Sequence, residues 1–89
     1  MIYNSIVETI GKTPLVDVSD AFEDLQARVL VKVESFNPGG SVKDRIAYAM
    51  IKQALIDGDI DDQTEVIEPT SGNTGIGIAM VCAALSIPC

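Results

Sequence analysis

The sequence predicts an α/β fold, a partial parallel sheet with covering helices, and three observations carry that prediction. Arg28-Val29-Leu30-Val31-Lys32-Val33-Glu34 is rich in β-branched residues between polar ends, the mark of a strand. After Ser41 and Asp44, which have the capping-box form, apolar Ile46, Ala49, Met50, Ala54 and Leu55 recur at helical spacing. A second strand and helix then follow, Glu65-Val66-Ile67-Glu68 and an apolar helix opened by Gly72 to Gly75. Strands alternating with helices imply right-handed crossovers and a parallel sheet covered on both faces.

The elements follow in order. Asn4 or Ser5 caps a short helix through Ile10, which Gly11 terminates. Thr13-Pro14-Leu15-Val16 begins an extended segment, because Pro14 disfavours helix at Thr13. Asp20 to Gln26 is a polar, exposed connection to the 28–34 strand, and Asn37-Pro38-Gly39-Gly40 marks a turn. The helix after Ser41 should end near Gly58, and Pro69 stops the 65–68 strand. The last helix is apolar on all sides, as one buried between a sheet and its neighbours is. Pro88-Cys89 reads as the approach to a further strand. The chain is therefore expected to be a single incomplete N-terminal segment, residues 1–89, with no second domain.

Composition narrows the function. A chain of 89 residues buries only about 60% of its unfolded surface, so its core is marginal. Its 47% hydrophobic content is that of a globular protein. Thirteen acids against six bases give a net charge of -7, with no basic cluster, which argues against nucleic acid or an anionic membrane as partner. Residues Met1 to Ile10 lack the charge and apolar run of a secretion signal. The apolar stretch Ile76 to Ile87 is shorter than the roughly 20 residues that a spanning helix needs. Cys82 and Cys89 form neither a metal-spacing nor a redox pair, so a reduced, cytoplasmic protein is expected. The absence of histidine excludes a Ser-His-Asp triad and a His-ligated zinc site.

Two loops carry chemistry. Asn37-Pro38-Gly39-Gly40-Ser41-Val42-Lys43-Asp44-Arg45 places a lysine in the first turn of a helix, where the macrodipole disfavours an ammonium. That field favours the neutral amine needed for Schiff-base chemistry with an aldehyde. The plain alternative is an exposed lysine beside Asp44, and the spacing of a phosphate-binding Walker loop is absent. Pro69-Thr70-Ser71-Gly72-Asn73-Thr74-Gly75 lies between a strand end and a helix start, where open α/β sheets bind ligands. Unpaired N–H groups, three hydroxyls and one amide there suit a carboxylate or phosphate. Gly72 is free to take a positive φ, and Gly75 and Gly77 let the helix approach the sheet. The alternative is an N-cap serving only its own helix. Asp57, Asp59, Asp61 and Glu68 partly match a calcium loop, but Asp62 stands where glycine is required and Pro69 opposes an exiting helix. A solvated acidic turn is the preferred reading, with no metal site.

Taken together, Gly40-Ser41-Val42-Lys43-Asp44-Arg45-Ile46 and Glu68-Pro69-Thr70-Ser71-Gly72-Asn73-Thr74-Gly75 resemble the two N-terminal signatures of the cysteine synthase (O-acetylserine sulfhydrylase) and cystathionine β-synthase family. Ile10-Gly11-Lys12-Thr13-Pro14-Leu15-Val16 resembles that family's opening motif, so the resemblance covers essentially the whole chain. It implies the N-terminal part of the tryptophan synthase β-like, fold type II architecture, with pyridoxal 5'-phosphate (PLP) as cofactor. Lys43 would hold PLP through its amine and then serve as base and acid at the substrate α-carbon. Asn73 would hydrogen-bond the cofactor's ring hydroxyl, and Thr70, Ser71, Gly72, Asn73 and Thr74 would hold the substrate α-carboxylate. The implied reaction is β-replacement, in which O-acetylserine loses acetate and sulfide adds to give cysteine. The alternatives are a cystathionine β-synthase, joining serine and homocysteine, and a non-catalytic binding protein. Full-length members would be homodimers. Their glycine-rich loop for the PLP phosphate, and the residue that meets the pyridine nitrogen, have no counterpart here, so the chain is expected to be inactive alone.

Overall fold

A computed structural model describes residues 1–89. The chain opens with the expected short helix, a 3₁₀ one, Ile6–Thr9, which Gly11 at φ 86° terminates; Ser5 stands at its N-cap but makes no side-chain cap. Strand β1, Leu15–Asp17, and strand β2, Leu30–Lys32, pair antiparallel with Val16 opposite Val31. Two further bonds lengthen this ladder, Val18 N–H to Val29 O and Val33 N–H to Pro14 O, both 2.9 Å. The expected 28–34 strand is thus real but shorter. Every residue of both strands is exposed, so the hairpin has no covered face.

The expected parallel sheet is not built. The 65–68 segment forms no strand and makes one ladder bond, Val66 N–H to Pro88 O at 2.8 Å. The sheet that does form is antiparallel because residues 18–29 return the chain through a single 3₁₀ turn, Ser19–Ala21, instead of a crossover helix. The α/β class holds, reduced to two helices and a short sheet.

Helix α1 spans Lys43–Asp57 and helix α2 spans Asn73–Ala84. Gly58 ends α1 in the left-handed region, φ 77°, as the sequence predicts. The two helices pack on each other, and Ala47 and Ile51 of α1 join Ile78, Val81 and Cys82 of α2 in a core completed by Val7 and Ile87. The buried face of α1 is therefore Asp44, Ala47 and Ile51, whereas of the apolar residues at helical spacing Ile46, Ala49, Met50 and Leu55 are exposed and Ala54 is half-buried. α1 is apolar on two sides, and only one of them meets α2. α2 is apolar all round as expected, yet Ile76, Ala79 and Ala83 face outward.

The radius of gyration is 16.7 Å, against about 12 Å for a compact domain of this length. Hairpin and helix pair are two lobes, and the core sits in the second, joined by Val7 of the opening 3₁₀ turn. The acidic turn is solvated and closed on itself, with Asp61 Oδ1 accepting from Gln63 N–H at 2.8 Å. No helix is long and apolar enough to cross a membrane.

Candidate active site

The lysine loop is built by a turn and a cap. Gly40 N–H donates to Asn37 O at 2.8 Å, and Gly40 itself takes φ 87°, open to glycine at little cost. Ser41 Oγ then accepts from the backbone N–H of Lys43 at 3.1 Å, which starts α1. Asp44 does not complete a capping box. Its side chain is shorter than the glutamate of that motif, and its Oδ2 accepts from Gly39 N–H instead. Lys43 is the first residue of α1 and is exposed. Its amine makes no hydrogen bond or ion pair, because Asp44 is turned inward, away from solvent.

Behind this loop lies a polar network that sequence reasoning did not assign. Gly11 (φ 86°) and Lys12 (φ 53°) are both left-handed and reverse the chain. The reversal aims Gly11 N–H at Asn37 Oδ1, 2.8 Å away. Asn37 Nδ2 donates to Glu34 O (2.9 Å) and Oε1 (3.2 Å). Arg45 clasps both oxygens of Glu34, and Thr13 donates its hydroxyl to the same carboxylate. The Arg45 guanidinium, followed by the Thr13 hydroxyl, holds the Glu34 carboxyl down at about 2. Thr13 and Asn37 are both buried. The signal for this network was present as polar residues inside otherwise apolar motifs, but pairing across such separations leaves no periodicity to read.

The second loop separates capping from ligand chemistry. Thr70 Oγ1 alone accepts from Gly72 N–H (3.3 Å) and Gly75 N–H (3.1 Å), and so caps α2. The N–H groups of Ser71, Asn73 and Thr74 have no acceptor in the chain, and their side chains make no hydrogen bond. Two hydroxyls, an amide and three backbone donors thus stand free at the positive end of a helix of 12 residues. Gly72 does not use a positive φ; its φ of -160° is extended backbone. Gly75 lies against the Thr70 methyl, and Gly77 faces α1, not the sheet.

Gly77 also brings the loops together. A Cβ there would lie 3.1 Å from Ala47 Cβ and 3.2 Å from the Lys43 carbonyl, so the first turns of the two helices lie side by side. A lysine with an unpaired amine at the start of α1, whose backbone lies against α2 near its open N-terminus, is compatible with the aldehyde of PLP together with a substrate carboxylate. Arg28 is engaged by Asp17, Lys32 by the Thr13 carbonyl and Arg45 by Glu34, so these three cations form no phosphate site.

Residues 6–89 match the family described as pyridoxal-phosphate dependent enzyme. The chain belongs to this family. A cysteine synthase from Staphylococcus aureus is 54% identical over 81 residues, covering 91% of this chain and 26% of that protein. The chain thus spans about a quarter of the length of the curated relatives it matches. The crystal structure of a cysteine synthase from Entamoeba histolytica superposes with a TM-score of 0.92 at 44% identity, over 98% of this chain and 27% of that one. An O-acetylserine dependent cystathionine β-synthase from Helicobacter pylori superposes at 0.89 with 37% identity, over 98% of this chain and 29% of that one. The fold is therefore part of fold type II, as the motifs implied.

Proposed function

We propose that this chain carries the cofactor lysine and the substrate-carboxylate loop of a cysteine synthase. The reaction assigned to the whole enzyme is β-replacement of the acetate of O-acetylserine by sulfide, giving cysteine. The observation that carries the reading is the juxtaposition of an unpaired Lys43, at the start of α1, with the open N-terminus of α2. The identity of 54% to a cysteine synthase favours sulfide over homocysteine as nucleophile.

Lys43 would hold PLP, and Asn73 would offer its amide to the ring hydroxyl. When bound, the cofactor supplies an electron sink for charge at the substrate α-carbon. The N–H groups of Ser71, Asn73 and Thr74, with the hydroxyls of Ser71 and Thr74, orient the substrate by its carboxylate. Thr70 Oγ1 accepts twice from the backbone and keeps its own proton to donate. Lys43, once free of the cofactor, takes the α-proton and returns it. The family's glycine-rich phosphate loop and pyridine-nitrogen partner have no counterpart among these residues, so the 89-residue chain by itself does not turn over in this reading. The working form is a cytoplasmic homodimer.

Incubation of the purified chain with PLP tests the first step. A visible absorption band, and a borohydride-fixed adduct mapped to Lys43 and missing from Lys43→Ala, are the expected results. No adduct at Lys43, or an equal adduct on the other lysines, rejects the assignment.

A further inference from the structure

Asp44 is the most deeply buried charged side chain in the molecule, with none of its surface exposed. One oxygen, Oδ2, accepts from the backbone N–H of Gly39. The other, Oδ1, has no partner at all. A buried carboxylate with an unmet oxygen carries a desolvation cost that a small apolar residue would avoid. Its surroundings are cut to fit it. A Cβ on Gly39 would collide with the carboxylate, and a Cβ on Gly77 would lie 3.4 Å from Oδ1. The side chain thus sits between the turn before α1 and the first turns of α2, one residue after the lysine assigned to the cofactor.

We propose that Asp44 is a positioning residue for Lys43. Its charged oxygen fastens the Asn37–Gly40 turn onto α1, and its body spaces that turn against Gly77. Together these hold the Lys43 backbone at the start of α1, against the first turns of α2. The bond it makes is charge-assisted, hence stronger than a neutral one. Its place in the first turn also suits an anion. Without it the turn keeps its ties through Ser41 and through the Asn37–Glu34–Arg45 network, but loses the bond at Gly39 that lies nearest Lys43. The inference rests on the assignment of Lys43 above, but it concerns this chain's own geometry and is tested without the cofactor.

The test compares wild type, Asp44→Ala and Asp44→Asn by reductive alkylation with acetaldehyde and cyanoborohydride. Labelling of Lys43 is read against Lys12 and Lys52 in the same molecule by peptide mass spectrometry. Far-UV circular dichroism monitors folding, and hydrogen exchange at Gly39 reports the bond. In folded Asp44→Ala, the Lys43 ratio should fall about two- to fivefold, as the turn loses the hydrogen bond that fastens it to α1. Asp44→Asn keeps an acceptor oxygen and should restore both the ratio and Gly39 protection to within twofold. A folded Ala variant with the wild-type ratio overturns the proposal, as does an Asn variant no better than Ala. If Ala unfolds, Asn alone decides: folded with the wild-type ratio it supports positioning, and folded with a lost ratio it rejects it. Failure of PLP to mark Lys43 in wild type would reject the proposed function and leave this comparison standing.

Discussion

Thr13 and Arg45 lie thirty-two residues apart in the chain and meet at 3.2 Å, Nη2 donating to Oγ1. Both also bind the Glu34 carboxylate, and Asn37 joins the same carboxylate while receiving the Gly11 N–H. The opening motif, Gly11-Lys12-Thr13-Pro14, is thereby tied to the two ends of the lysine loop. Its role is to fix the hairpin lobe to the helix pair through polar bonds, since the strands contribute nothing to the core.

Acid should loosen that tie. Glu34 has its carboxyl held at about 2 in the fold, against 4.5 ordinarily. Above pH 4.5 both folded and unfolded chains are ionised there, and the stabilisation is fully present. As pH falls from 4.5 toward 2, the unfolded chain takes up a proton that the folded one refuses, so the stabilisation is progressively lost. Urea melts at pH 6 and pH 3 should show a steeper loss for wild type than for Glu34→Gln. Equal losses would mean that Glu34 contributes nothing in this window.

The helix contact predicts an unusual response at Gly77. Replacing glycine by alanine inside a helix ordinarily gains about 1 kcal/mol. Here the new methyl would press on Ala47 Cβ and the Lys43 carbonyl, at 3.1 and 3.2 Å. Neither can swing aside, and overpacking of this sort costs about 1–3 kcal/mol. Gly77→Ala should therefore lower the unfolding free energy, and Gly77→Val should lower it further. Gly58→Ala should also destabilise, but through its φ of 77°, since nothing lies within 4 Å of its added methyl. Chemical denaturation of the three variants checks both.

Lys43→Ala should leave stability within about 0.5 kcal/mol of wild type, as for an exposed side chain without partners. A thermal melt that matched wild type would show that its loss of PLP capture is chemical and not a failure to fold.

The lysine turn, the end of α1 at Gly58 and the start of α2 were legible because each is local, written in glycine, serine and threonine at fixed offsets. The core face of α1 was not. Ile46 and Met50 are as apolar as Ile51, and only the position of Gly77 opposite Ala47 selects which side meets α2. The parallel sheet was over-read for a similar reason. Val66 and Ile67 have strand character, but a strand exists only by pairing, and Val66 makes a single such bond, to the Pro88 carbonyl. Within the candidate site the residue types were legible from the motifs. The inward turn of Asp44 and the Glu34 clasp were not, because both depend on partners that lie outside the reach of helical or strand periodicity.

Thr70 allows capping and ligand binding to be pulled apart. Its Oγ1 accepts from Gly72 and Gly75, and loss of such a cap costs about 1 kcal/mol. Thr70→Val removes the oxygen and should show that loss in chemical denaturation, while Thr70→Ser keeps the acceptor and should recover most of it. Ser71 makes no bond and is exposed, so Ser71→Ala should not move stability beyond about 0.5 kcal/mol. If the loop holds a substrate carboxylate, Ser71→Ala placed in the complete enzyme should raise KM for the amino acid while the protein melts as wild type does. A Ser71→Ala enzyme with unchanged KM would leave the loop as a cap and remove the substrate role from Ser71.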